Sequence, residues 1–409
     1  MKKHIRALIL SILLALLTFT VFSQETKVLN LGFPKIGQES LNYLSLGTSL
    51  SAGVRNGGVY AEAQNGSFPS LLARQMGLVN WRVPTLPKSG TGRDHAVILS
   101  NGLLDIYHEK GKFDDTTQDS VFPKIEGVVD NYAIPYQKVL DILKSNKNDV
   151  NQNYDNRSFK YLERFSEENH SLFYFVKERI DNVDFFTFEF GFHDFIQFAQ
   201  SGGYQTDISF ICDREIIGEK ILLDLLTDKT PYGVVLNVPN YLNFPIYKMY
   251  SSGLMDENEI FIEHWQKSDV RAIDLNDIML PKGSVLEYFS GGYGIGSFEN
   301  PLKDEDILDV EEQRFASVTC YNNLLKKFAN DKGLVYVDLE SLFDEIIDGT
   351  YSTKELGLII NPDYPNGNFF SSDGLTPTAL GQAIITNRII KSINTAYKSN
   401  IPLLDLHKF

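Results

Sequence analysis

Leu46-Gly47-Thr48-Ser49-Leu50-Ser51-Ala52-Gly53 follows directly on the short apolar run Asn42-Tyr43-Leu44-Ser45, and this junction decides how the chain folds. An apolar run that ends in glycine reads as a buried strand leaving a sheet. A serine beside glycine at such a junction can expose its hydroxyl at the sheet edge, with backbone N–H groups close enough to stabilise an oxyanion. The same serine can also serve only as a cap or turn residue. Ser67 to Met76 then has the start and the period of a helix.

The alternation of strand and helix returns along the chain. Asp184 to Gly191 is an aromatic-rich strand, Asp213 to Asp228 carries apolar residues at helical spacing, and Tyr232 to Pro239 is almost continuously apolar. Glu311 to Asp331 reads as a helix, Gly333 to Asp338 as a strand, and Thr378 to Tyr397 as a long amphipathic helix. Strands separated by helices predict a three-layer α/β/α sandwich with a central parallel sheet.

Two stretches fit this pattern poorly. Residues 80–152 are rich in Gly, Pro, Asp and Lys, with one predicted helix at Pro135–Lys144. Residues 241–300 mix aromatics with glycines and end in Gly291-Gly292-Tyr293-Gly294-Ile295-Gly296. Both are expected to be long loop insertions on the C-terminal edge of one sheet, where ligand-facing loops sit. The glycine run follows no clear strand and opens no helix, so a phosphate loop is not expected.

The chain has 409 residues, 43% of them hydrophobic, which suffices for a large core in one to three domains. Its 38 basic residues face 53 acidic ones, a formal charge of -15, which argues against a nucleic-acid partner. Met1 to Arg6 is basic, and Ala7 to Val21 is apolar apart from Ser11, Thr18 and Thr20. At roughly 15 residues this run is shorter than the ~20 of a spanning helix, and Val21-Phe22-Ser23 suits cleavage before Gln24. Residues 1–23 are therefore expected to be a signal peptide, with a retained anchor as the alternative, and 24–409 a single domain. The protein is expected to be exported, to the periplasm, the outer membrane or the medium, with no transmembrane segment after signal removal. The only cysteines, Cys212 and Cys320, exclude a cysteine zinc site and leave open two thiols or one disulfide. The histidines outside the motifs quoted below show no ligand spacing, so neither a metal nor a cofactor is expected.

Four segments taken together resemble the SGNH or GDSL hydrolase family, specifically its secreted members of the Bacteroidetes type with long inserts. The first block, Gly-Asp-Ser-Leu in the family, is Gly47-Thr48-Ser49-Leu50, with Thr48 in place of the aspartate and Ser49 at the nucleophile. The second, Asn-x-Gly-x-Pro-Gly in type, is matched by Asn131-Tyr132-Ala133-Ile134-Pro135-Tyr136, with Ala133 at the glycine whose N–H would join the oxyanion hole. The third, Gly-x-Asn-Asp, is Gly191-Phe192-His193-Asp194, with His193 at the oxyanion-hole asparagine. The last, Asp-x-x-His-Pro-Thr, is Asp373-Gly374-Leu375-Thr376-Pro377-Thr378, with Thr376 at the catalytic histidine. In order and spacing the resemblance covers nearly all of the chain after the signal.

It implies the sandwich fold and an oxyanion hole built from Ser49, Ala133 and His193. It also implies altered chemistry, because Thr376 cannot take up a proton near neutral pH. Loss of one member of a serine triad typically costs on the order of 10⁴ to 10⁶ in turnover. Ser49, His193 and Asp373 are the candidate catalytic residues, with His193 as a relocated base and Asp194 or Asp373 as its orienter. Two functions stay open. One is a catalytically degenerate envelope component that binds a glycan or an outer-membrane protein complex, partly through aromatics near Trp81 and between Tyr241 and Tyr293. The other is an active carboxylic-ester hydrolase acting on a small ester.

Overall fold

The computed structural model describes residues 30–32, 41–99, 103–117, 120–144, 157–165, 170–203, 217–250, 260–264, 269–282, 285, 299–352 and 357–409. The expected signal peptide, Cys212 and the run Gly291–Gly296 lie outside them.

Strands β1 (Tyr43–Gly47), β2 (Gly92–Ile98), β3 (Leu104–Lys110), β4 (Phe185–Glu189), β5 (Gly233–Leu236), β6 (Phe261–His264), β7 (Asp269–Ala272), β8 (Ile278–Met279), β9 (Leu302–Lys303), β10 (Ile307–Leu308) and β11 (Val335–Val337) occur in chain order. The helices that frame them are α1 (Ser49–Ala52), α2 (Ala61–Asn65), α3 (Phe68–Gln75), α4 (Arg157–Leu162), α5 (Leu172–Arg179), α6 (Phe192–Gln200), α7 (Ile217–Thr227), α8 (Val310–Phe315), α9 (Thr319–Lys332), α10 (Leu339–Ile347) and α11 (Ala379–Tyr397).

The central sheet is parallel in the order β1-β4-β5-β11. Every residue of β1, β4 and β5 is buried, so helices cover both faces and the predicted three-layer sandwich is what forms. Helix α9 packs on β5 and β11, and α11 packs on β11 and α3. Residues 130–134 run alongside β1 as a rudimentary further strand: Ser45 N–H donates to the Asp130 carbonyl, and Tyr132 and Ile134 donate to the Ser45 and Gly47 carbonyls. The register sets Gly47 opposite Glu189 and Glu189 opposite Leu236, which brings three strand ends to one edge.

Local chemistry sets the element ends. Thr378 caps α11, its hydroxyl accepting from Gly381 N–H at 3.1 Å. Asp338 caps α10 by accepting from Ser341 N–H at 3.0 Å. The two chain ends are laced together: Asn30 N–H donates to Asn400 Oδ1 at 2.6 Å, and Asn400 N–H to the Asn30 carbonyl at 2.9 Å.

Three expectations are corrected. The predicted helix at Pro135–Lys144 is a single 3₁₀ turn over Val139–Asp141, because Tyr136 has φ +62°, outside any right-handed helix. The span Glu311–Asp331 is two helices, α8 and α9, with a break at Ala316–Val318. The insertions are not all loop. The first carries the antiparallel hairpin β2–β3, and the second carries β6 and β7, joined by β9. A second small core of Tyr250, Ile260, Ile262, Met279, Val285, Leu302 and Ile307 lies beneath the latter. Among the described residues no helix is long and apolar enough to cross a membrane.

Gly191 joins β4 to α6 with φ +91°, and a Cβ there would collide with the Tyr321 ring. Gly191→Ala is expected to lose about 2 kcal/mol or more of stability from the left-handed backbone and the clash together, read by urea denaturation.

Candidate functional site

The structure gathers the sequence-predicted residues at one end of the sheet. Ser49, His193, Asp373 and Thr376 all line a cavity of about 150 Å³, together with Tyr136, Arg157, Phe192 and Asp94. Ala133 is close by in sequence but does not line it.

Ser49 is the first residue of α1, in the turn that leaves β1, and it is buried. Its position is held by Glu189, at the end of β4. That carboxylate accepts from Thr48 N–H (3.1 Å), Thr48 Oγ1 (3.0 Å), Ser51 N–H (3.1 Å) and Ser51 Oγ (2.9 Å). Gly47 permits the close approach, since a Cβ there would lie 2.9 Å from Glu189 Oε2 and against Ser51 Oγ.

Ser49 Oγ accepts from Tyr136 N–H at 3.1 Å. Ala133 N–H, the expected oxyanion donor, is instead used by Asn131 Oδ1 at 3.0 Å. Tyr136 holds a left-handed φ of +62° at this point. Its ring is T-shaped to His193, with centroids 5.4 Å apart, and lies under the Arg157 guanidinium at 3.7 Å.

Asp373 does not face an imidazole. Its Oδ1 accepts from Ser371 Oγ (3.1 Å), Leu375 N–H (2.8 Å) and Thr376 N–H (2.7 Å). Its Oδ2 accepts from Gly57 N–H (2.7 Å) and Thr376 Oγ1 (2.5 Å). The Thr376 hydroxyl thus sits on the carboxylate that would orient a base. Asp194, the other expected orienter, turns both oxygens to Val139 N–H at 3.1 Å.

Hairpin β2–β3 closes the rim. Asp94 N–H donates to the Asn56 carbonyl at 2.6 Å, and Asn56 N–H to Ser371 Oγ at 2.9 Å, so hairpin, serine turn and closing loop are tied at one point. Asp94 pairs with His108 Nδ1 at 2.7 Å, while His108 Nε2 lies 3.2 Å from the Thr91 carbonyl. Both ring nitrogens of His108 are thus engaged within the hairpin, with Asp94 and with the Thr91 carbonyl. Burial pushes the Asp94 carboxyl up, the His108 hydrogen bond pulls it down, and the Asp373 charge adds to the rise.

Behind the serine turn lies a group of buried acids. Burial pushes Glu189 up to about 6, against the downward pull of its Ser51 and Thr48 donors. Burial likewise raises Asp194 to about 7, and Glu219 to about 8 against the Tyr321 hydroxyl that donates to it, with Asp194 and Glu189 adding to the rise. Glu219 Oε2 is buried without a hydrogen-bond partner, which a neutral carboxyl tolerates far better than a charged one. Among the described residues no three His, Cys, Asp or Glu side chains converge as a metal site. Cys320 is disulfide-bonded.

Tyr136, Glu189, Asp94 and Arg157 were not singled out from the sequence. Tyr136 occupies the last glycine's place in the second block, which was a usable signal for a left-handed residue. Glu189 is one acid in an apolar aromatic strand, a placement that demands buried donors.

Fold and site define an α/β sandwich with a serine at the C-terminal edge of its parallel sheet and no histidine at the end of the closing loop. Two solved structures are similar in fold. One is an extracellular lipase from Streptomyces rimosus, 13% identical over 87% of this chain and 99% of its own, with a TM-score of 0.36. The other is described as a GDSL-like lipase, from Parabacteroides merdae ATCC 43184, 12% identical over 88% of this chain and 99% of its own, with a TM-score of 0.34. Likeness this remote assigns no chemistry to the chain. No protein-family model matches it. No curated protein matches it either.

All three buried acids lie above the ordinary carboxylate range, so the folded state favours their neutral forms. The stability they contribute is complete below about pH 4 and is lost as pH rises through 6 to 8. Glu219→Gln, which cannot ionise, is expected to gain on the wild type by a few kcal/mol between pH 5 and pH 9, read as the difference in unfolding free energy.

Proposed function

We propose that this chain is a catalytically degenerate SGNH-hydrolase-like protein whose Ser49 pocket holds a small acyl- or carboxyl-bearing group without turning it over. One observation carries this reading: the Thr376 hydroxyl donates to Asp373 at 2.5 Å, where a catalytic imidazole would have to stand. A cavity of about 150 Å³ falls below the ~300–1,000 Å³ of most small-molecule sites, which suits a short acyl group and excludes a long chain. The basic and apolar N-terminal stretch supports export, with residues 1–23 as a signal and the rest as one domain of the bacterial envelope. A glycan or an outer-membrane protein complex is the partner class in that setting.

The competing reading is a serine ester hydrolase with His193 as a relocated base, and its support is that His193 lines the same cavity as Ser49. Two measurements separate them. Wild-type protein is expected to take up no fluorophosphonate label and to hydrolyse p-nitrophenyl acetate no more than about twofold faster than Ser49→Ala. Ser49-dependent labelling or turnover would overturn the proposal. Thr376→His places an imidazole beside Asp373 and, since general-base catalysis contributes roughly 10² to 10⁴, is expected to raise ester turnover at least tenfold.

A further inference from the structure

A second cavity, of about 560 Å³, opens at the opposite end of the sheet, around the start of β1. It is lined by Asn42, Asn80, Trp81, Arg82, Asp130 and Arg179 among others, and plays no part in the Ser49 pocket. Its size lies within the ~300–1,000 Å³ of small-molecule sites, whereas the serine pocket falls short of that range.

Its charge runs against that of the molecule. Two arginines share one aspartate: Arg82 Nε lies 3.2 Å from Asp130 Oδ2, and Arg179 Nη2 lies 3.1 Å from Asp130 Oδ1. One positive charge is therefore left over at this spot on a chain of formal charge -15. Asp130 is nearly buried and fixed by the Arg82 N–H at 2.9 Å, so the two guanidinium groups are held in place by it. Arg179 is partly exposed at this cavity, its side chain one-fifth accessible. Half of the Arg82 side chain is exposed.

Beside the arginines stands a flat apolar wall. Trp81 stacks on Tyr43 with centroids 5.2 Å apart and planes 12° apart, and its indole N–H donates to the Tyr43 carbonyl at 3.0 Å. The indole is thus locked in orientation, buried on the Tyr43 side and still partly exposed. Val79, 88% exposed, extends the apolar rim. Paired guanidinium groups recognise a carboxylate through bidentate hydrogen bonds, and an indole offers a stacking surface for a sugar ring. Asn42 and Asn80 supply amides at the right scale for ring hydroxyls.

We propose that the Trp81–Arg82–Arg179 cavity is a binding site for a carboxylate-bearing saccharide of the uronic-acid type, separate from the Ser49 pocket. The chain has two tryptophans, Trp81 and Trp265, so Trp265→Phe leaves Trp81 as the only indole reporter. In that full-length protein, titration with glucuronic acid is expected to change the emission saturably, with glucose binding at least tenfold more weakly. Arg82→Gln is expected to weaken glucuronate binding at least tenfold, while Arg82→Lys, which keeps the charge, stays closer to wild type. Circular dichroism checks that each variant is folded. Absence of saturable change with glucuronate overturns the proposal without any arginine variant. So does equal binding of glucose, which makes the carboxylate irrelevant, or equal binding of inorganic phosphate, which leaves a plain anion site.

Discussion

A single buried carboxylate holds the geometry of the Ser49 end of the sheet together. Glu189 takes two backbone N–H groups and two hydroxyls from Thr48 and Ser51, residues some 140 positions away in sequence. Burying an acid is costly unless its oxygens are satisfied, so β4 can end in glutamate only if the turn after β1 presents donors. That turn in turn can approach only because residue 47 has no side chain. The placement of Ser49 therefore follows from sheet register, Gly47 opposite Glu189, as well as from its own contact with the Tyr136 N–H.

The same principle of satisfied carboxylates governs the rest of the pocket. Asp373 gathers its donors from Gly57 and from its own loop at Ser371, Leu375 and Thr376, and Asp194 serves the amide of Val139. Acids that might have oriented an imidazole are committed to shaping loops. Hairpin β2–β3 adds Asp94 to the wall, but the histidine that accompanies it is held between two acceptors. Ser49 itself accepts a backbone N–H from Tyr136, a donor that can polarise a bound carbonyl, and His193 lines the same cavity.

Much of this was legible in the sequence because it depends on pattern. All four strands of the central sheet and the helices α3, α7, α9 and α11 follow from apolar runs and helical spacing, and the order of the four blocks brings Ser49, His193 and Asp373 to one pocket. What escaped depends on backbone conformation or on pairing across long distances. No propensity announces that Tyr136 adopts a left-handed φ, and the apolar residues after it imitate a helix that never forms. Glu189 sits within an aromatic strand, and its partners come from some 140 residues earlier in the sequence. The strands of the insertions pair with each other and not with the central sheet, and β2 and β3 are largely exposed, so they lack the apolar runs that mark the core strands.

The lacing of Asn30 to Asn400 bears on how the molecule is made. Helix α11, near the end of the chain, packs on α3, near its start, and the serine turn is pinned by residues 371 and 373. A ribosome emitting this polypeptide therefore releases an incomplete core until almost the last residue has emerged, and β1 waits through more than a hundred residues for β4. The core thus rests on contacts of large sequence separation, a topology that slows folding.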